Sequence, residues 1–341
     1  MNWSKGYSTR HYISIVDPET WKDIERIEIS SGSINRKDDS LLESADLTCE
    51  YTLGQTTFER ERWIRIYADI RQDEDNYHGS LFTGLVSSPS RNIDGTFMQN
   101  RVQCYSVLKP ADDVLLPRGW YASAHTDATK IIKELLSVSP APIQIEGVTG
   151  ELAETIIAEE NETNLSMAWK ILDLMNWRIR IDGNGYMYIT SYPMITNDLV
   201  KFDSLKNDSL ETSISVNYDW FDCPNVFRAV YNTAIAIAKD ENPESPLSIQ
   251  NRGREVWMEE KDCKLQTNES IAMYAKRRLK EEQNVAYELS YNRRFHPDVN
   301  IHDIIQLNYP AQNITGYFTV NQQTISLGYG ISVSETATKK V

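Results

Sequence analysis

Alternation of apolar and polar positions with a period of two dominates the first hundred residues and returns after position 200, while the stretch between them changes to helical spacing. Residues 11–110 carry the runs YISIV, RIEIS, ADLTCEYTL, WIRIYADI, HGSLFTGLVSSPSRN and FMQNRVQCYSVL, separated by turn formers such as Asp17-Pro18, Ser31-Gly32 and Asp94-Gly95. Short strands at this spacing predict a barrel or a sandwich. In ADLTCEYTL, Leu47, Cys49 and Tyr51 share one face and Asp46, Thr48 and Glu50 the other, the pattern of a strand with one solvated side. The polar stretch 71–76 interrupts the alternation before a strand expected at 79–87.

After Lys109-Pro110 the spacing predicts a helix over IIKELLSV, entered at Thr126-Asp127-Ala128-Thr129 and stopped by Pro140-Ala141-Pro142. A second helix starts near Thr163-Asn164, with Leu165, Ala168, Trp169, Leu172 and Met175 on one stripe. It runs into NWRIRIDGNGYMYITSYP, which reads as a hairpin turning at Asp182-Gly183-Asn184-Gly185. Residues 113–199 therefore form a small α/β domain.

From Val200 the strand signals resume. NVFRAVYNTAIAIAKD predicts one long half-buried strand from Val226 to Ala238, Glu241 to Pro246 a loop, and SIQNRGREVWMEEKDC a strand pair or extended segment. Asn268 is placed to N-cap a long helix that turns Ile271, Tyr274, Ala275, Arg278 and Leu279 inward. Alternation then continues to the C-terminus.

A length of 341 residues suits two or three domains. No apolar run approaches the roughly 20 residues of a membrane span, and the N-terminus lacks the apolar core of a signal peptide, so synthesis and folding in the cytoplasm are expected. The formal charge of −14 repels a phosphate backbone and argues against a nucleic-acid-binding protein. Cys49, Cys104, Cys223 and Cys263 lie far apart without CxxC or Cys/His pairing, which favours small buried thiols over zinc or a disulfide framework.

Candidate chemistry is sparse. His296-Pro297-Asp298 and His302-Asp303 place two imidazoles and two carboxylates close enough in sequence for a divalent metal, although a loop entering a strand is the favoured reading and no metal is expected. Asp182 to Gly185 lacks the ligand spacing and closing Glu of a calcium loop. No phosphate-binding loop, nucleophile elbow or zinc-peptidase helix occurs, so no catalytic residue and no cofactor is assigned. Lys276, Arg277, Arg278 and Lys280 precede Glu281-Glu282, and pairs from 277 to 281 and 278 to 282 predict an ion-paired, solvated helix face. Trp63, Trp120, Trp169, Trp177, Trp220 and Trp257 are expected in cores, and the Asn-x-Ser/Thr matches carry no weight without a signal peptide.

Residues 268–334, with their helix, Ser290-Tyr291, HPDVNIHDIIQLNYP, GYFTV and ISLGYGISVSE, resemble the hub proteins of phage tails and related contractile particles. The likeness extends over the chain: AWKILDLMNWRIRIDGNGYMYI is similar to that family's helix and hairpin, and CPNVFRAVYN to the strand that opens its second barrel. The sequence departs from the family pattern at His302-Asp303, where a Gly-Asp turn is usual, and at Val333-Ser334-Glu335, where the tail motif often has Met.

The resemblance implies an α+β, mainly β chain: two β-barrel tube-like domains, 1–112 and 200–341, flanking the α/β domain, with the helix at about 268–283 as an outer layer of the second barrel. It further implies a non-enzymatic, homotrimeric, pseudo-sixfold baseplate adaptor between the hexameric tail tube or tube initiator and the trimeric central spike. Tape-measure and wedge proteins are further candidate partners. Nucleic acid is not a specific partner and no membrane anchor is expected. The location implied is the baseplate of a phage virion or a headless bacteriocin particle, assembled in the host cytoplasm. The alternatives are a tail-associated cell-wall hydrolase or a carbohydrate-binding receptor module.

Overall fold

The computed structural model describes all residues except 4, 53–60, 88, 96, 197, 206–208, 219, 222, 264, 266–268, 285–286, 329 and 340–341. Eight strands come first: β1 (Ser8–Val16), β2 (Asp23–Glu28), β3 (Ser31–Lys37), β4 (Glu43–Thr52), β5 (Trp63–Gln72), β6 (Asp75–Val86), β7 (Ser90–Asp94) and β8 (Phe97–Ser106). The middle segment holds α1 (Lys109–Asp113), β9 (Tyr121–Ala122), α2 (Ala128–Leu136), β10 (Ile143–Ile145), β11 (Ile156–Ile157), α3 (Asn164–Met175), β12 (Trp177–Ile181) and β13 (Met187–Ser191). There follow β14 (Lys201–Asp203), β15 (Leu210–Tyr218), β16 (Val226–Tyr231), β17 (Ala234–Lys239), α4 (Ile249–Arg252), β18 (Trp257–Lys261) and α5 (Ile271–Asn284). The chain closes with β19 (Tyr287–Arg294), β20 (Ile304–Tyr309), β21 (Ile314–Gly328) and β22 (Gly330–Lys339).

The class is α+β and mainly β, as the alternation predicts. Among the described residues neither β region closes into the expected barrel. One 14-stranded sheet runs through both β regions in the order β15-β19-β22-β21-β3-β4-β8-β6-β5-β1-β2, with β7, β14 and β20 on side branches. The joint is β3 against β21, paired antiparallel from Gly32–Leu327 to Lys37–Gln322. Long-range pairing of this kind leaves no mark on the alternation of either strand, because period two fixes which face a residue takes but not which strand lies beside it.

The middle segment follows its pattern closely. Asp127 caps α2 by accepting from the Thr129 amide, and Thr163 with Ser166 forms a capping box on α3. Asn176, left-handed at φ 55°, ends α3 and turns the chain into β12. Its apolar stripe, with Leu165, Ala168 and Leu172, packs into a core that also takes in Trp21, Trp63, Phe202, Leu289 and Phe318 from both β regions.

The run Val226 to Ala238 is not one strand. Asn232, at φ 52°, breaks it into the hairpin β16–β17 around a two-residue turn. With β18 parallel to β16, these strands make a separate three-stranded sheet covered on one side by α5. Phe227, Ala229, Ala238, Cys263, Tyr274, Ala275 and Leu279 form its core. The helix therefore belongs to this small unit and not to a barrel wall, and CPNVFRAVYN supplies its central strand. β15 and β19, which flank the unit in sequence, pair directly with each other. The segment read as a strand pair begins instead with α4, and Asn268 lies outside the described residues.

Candidate assembly surface

Across the joint the strands place residues in straight rows. On the solvent side Ser44, Asn35, Thr324, Ser334 and Asn292 stand opposite one another on β4, β3, β21, β22 and β19. The next row is Asp46, Ser33, Ser326, Ser332 and Arg294, and on the other side run Lys37, Gln322, Thr336, Ser290 and Ser215. Hydroxyls and amides therefore pave this face, with charges mainly at its margins. Thr324 donates to Asn35 Oδ1 at 3.1 Å and Ser334 to Asn292 Oδ1 at 2.7 Å, as cross-strand polar pairs do. A shallow groove of about 240 Å³ runs along it, lined by Ser213, Ser215, Ser290, Gln322 and Ser334 among others.

Beneath the paving lies a row of the opposite character. Glu43, Arg36, Gln323, Glu335 and Tyr291 are directly opposed on the same five strands, and all five are buried. Arg36 donates to Gln323 Oε1 at 2.7 Å and to the Leu81 carbonyl at 2.6 Å. Gln323 donates on to Glu335 Oε1 at 2.7 Å and to the Val299 carbonyl at 3.1 Å. Glu335 accepts from Tyr291 at 2.8 Å and from Arg293, whose side chain, like that of Glu335, is fully buried. Burial and the neighbouring Glu335 carboxylate push the Tyr291 hydroxyl well above its ordinary pKa. At the far end Arg36 Nε lies 3.5 Å from Glu43, but desolvation outweighs that attraction and the Glu43 carboxyl is pushed up to about 8.

The histidines do not converge. His296 lies among Trp3 and Phe202, 3.8 Å from Asp298, and burial lowers its pKa. His302 points elsewhere, to Asp38 at 2.8 Å and the ring of Tyr192, while Asp303 accepts from Arg178 at 3.2 Å. Among the described residues no group of three or more His, Cys, Asp or Glu is spaced to hold a metal.

His302 explains the unusual dipeptide: its φ of 64° is the left-handed conformation that favours glycine. His302→Val is expected to destabilise the protein by at least about 1 kcal/mol more than His302→Gly, a difference readable by urea unfolding. Equal losses would place the cost in the lost Asp38 and Tyr192 contacts instead.

Asp182 to Gly185 forms the expected turn, and it is also a docking element. The Asn184 carbonyl accepts from Trp21 Nε1 at 2.8 Å and from Arg65 at 3.1 Å, and the Gly183 carbonyl accepts from Thr83 at 2.7 Å. A Cβ on Gly183 would lie 1.9 Å from the Ser80 carbonyl oxygen, so only glycine lets the turn approach this closely.

Of the cations of α5, Arg277 and Arg278 are ion-paired as expected, Arg277 with Glu281 at 3.0 Å and Arg278 with Glu282 at 2.9 Å, with Glu269 and Glu260 as additional partners. All four cysteines are buried thiols outside any disulfide. Trp63 and Trp177 are buried, while Trp120 and Trp169 pack partly against the core. Trp220 and Trp257 depart from the expectation, at 48% and 49% exposure. Among the described residues no helix is long and apolar enough to cross a membrane.

Neither a protein-family model nor a curated protein matches the sequence. Solved structures do. The 43 kDa tail protein of prophage MuSo2 from Shewanella oneidensis superposes with a TM-score of 0.70 at 14% identity, over 98% of this chain and 97% of that one. The chain has the fold of a prophage tail protein. A tail protein from Neisseria meningitidis shares that fold at TM-score 0.67 and 10% identity, again over 98% and 97% of the two chains. The fold also occurs in an Escherichia coli type VI secretion component described as structurally similar to the bacteriophage T4 tail proteins gp27 and gp5. There the TM-score is 0.56 at 9% identity, over 95% of this chain and 76% of that one. This tail-protein fold accommodates the small β16–α5 unit as well as the main sheet, since the superpositions span nearly the whole chain.

Proposed function

We propose that the chain is a structural subunit of a tail baseplate hub, three copies of which form an adaptor between the tail tube and the central spike. The observation that carries this reading is the superposition of nearly the entire chain on prophage tail proteins. Support for a spike partner comes from the likeness to a chain of a Francisella PdpA-VgrG complex, at TM-score 0.61 and 9% identity, over 98% of this chain and 58% of that one. The units 1–112, 113–199 and 200–341 are taken as the hub's building blocks, the first and last supplying tube-like walls.

The hydroxyl and amide face suits the bore of such an adaptor. A wall of neutral hydrogen-bonding groups stays wetted and gives a passing polymer neither an apolar patch nor a dense charge to adhere to. The reading is non-enzymatic and places the chain at the baseplate.

The purified chain is expected to assemble as three copies, alone or on addition of its spike protein. Light scattering that finds only 39.2 kDa monomers under both conditions sinks the proposal. Imaging of the particle is expected to show threefold density at the end of the tube.

A further inference from the structure

Among the described residues the small sheet β17-β16-β18 has two unpaired edges of unlike chemistry. β18 carries Glu259, Glu260 and Lys261, charges that guard an edge against pairing. β17 reads AIAIAK and is unguarded until its last residue. Among the described residues no element covers the outer part of the side away from α5: Ile235 is 63% exposed, Ile237 51% and Trp257 49%.

The turn fixes which groups of β17 are free. Tyr231 and Ala234 close a two-residue hairpin and so form a hydrogen-bonded pair, as do Ala229 with Ala236 and Phe227 with Ala238. The backbone groups of Ile235 and Ile237 consequently point out of the open edge.

We propose that this edge pairs with the same strand of a second copy of the chain, antiparallel and centred on Ala236. In that register Ile235 of each copy faces Ile237 of the other, and all four isoleucines fall on the uncovered side. Lys239 comes opposite Thr233 and Asp240 opposite Asn232, so no like charges meet. The face is neutralised within each copy, Arg228 by Glu259 and Lys239 by Glu255. On a chain with formal charge −14, this makes it a surface on which two copies meet with little repulsion. The product is one six-stranded sheet with a shared apolar stripe. The contact is two-fold, requires no other protein, and does not rest on the hub reading.

The test uses the full chain. Sedimentation velocity is expected to show self-association that Ile237→Lys weakens at least about tenfold, with a melting profile unchanged at concentrations low enough that both forms are monomeric, because Ile237 is half exposed. In a second arm, Ala236→Cys places two thiols across the two-fold axis, where an added oxidant is expected to join them far faster than it joins Ala272→Cys on the exposed face of α5. Wild type that sediments like the lysine variant, or cross-linking at 236 no faster than at 272, overturns the proposal. A threefold complex with the spike should survive Ile237→Lys, so the two readings fail separately.

Discussion

Replacing Glu335 by alanine is expected to cost about 3–5 kcal/mol of stability, the largest loss of any single polar substitution in the chain. Glu335 and Arg293 are both fully buried, and the carboxylate also accepts from Tyr291 and Gln323. Removing it strands a guanidinium in the core and leaves the Tyr291 hydroxyl and one of the two Gln323 amide hydrogens without an acceptor. Arg293 then has the Arg294 carbonyl at 2.8 Å and the ring of Phe202, which do not neutralise it.

The double replacement Arg293→Met/Glu335→Leu separates pairing from burial. If the cost of Glu335→Ala is an uncompensated charge, the double variant loses less than the single one, because an apolar pair leaves no charge behind. Urea midpoints for Glu335→Ala, Arg293→Met and the double variant close the cycle. Additive losses would show that the two side chains stabilise the joint independently.

That pair illustrates what a sequence can and cannot announce. Whereas the short α1 carries no such signal, α2 is legible because its cap, apolar stripe and terminating prolines lie within fifteen residues of one another, and α3 because of its cap and stripe. The DGNG hairpin was legible for the same reason. Glu43, Arg36, Gln323 and Glu335 sit in four strands, and each alone looks like a polar exception in an alternating run. Only the register of β4, β3, β21 and β22 shows them to be one row.

The hydroxyls of the paved face stand in the runs TSISVN and ISVSETAT, but that they form one face depends on which strands become neighbours. The single long strand failed at Asn232, where a lone left-handed residue turns an apolar run back on itself. The misplacement of α5 followed from that, since a hairpin offers a helix a small sheet of its own to cover. His302 stands out in sequence as a departure from the family pattern, and its left-handed backbone conformation supplies the reason.

Stability is also expected to fall as the pH rises from about 4.5 to about 8, through Glu43. In the folded chain its carboxyl is held neutral by burial, with a pKa pushed up from 4.5 to about 8, while in the unfolded chain it ionises at the ordinary value. Between those limits the folded state keeps a proton that the unfolded state has released, so raising the pH favours unfolding; below about 4.5 and above about 8 this contribution is flat. Complete transfer across the window amounts to roughly 2–5 kcal/mol.

Glu43→Gln supplies a neutral side chain of the same shape at every pH. Its stability should match wild type near pH 5 and exceed it by at least about 2 kcal/mol at pH 9, measured as paired urea curves so that all other titrations cancel. Parallel curves from pH 5 to 9 would mean that Glu43 is ionised against Arg36 throughout, and that the 3.5 Å contact outweighs desolvation after all. Because Arg36 hands its other donors to Gln323 and Leu81, loss of the Glu43 proton is felt along the same row that ends at Glu335. The pH slope should therefore change when Gln323→Leu breaks that row.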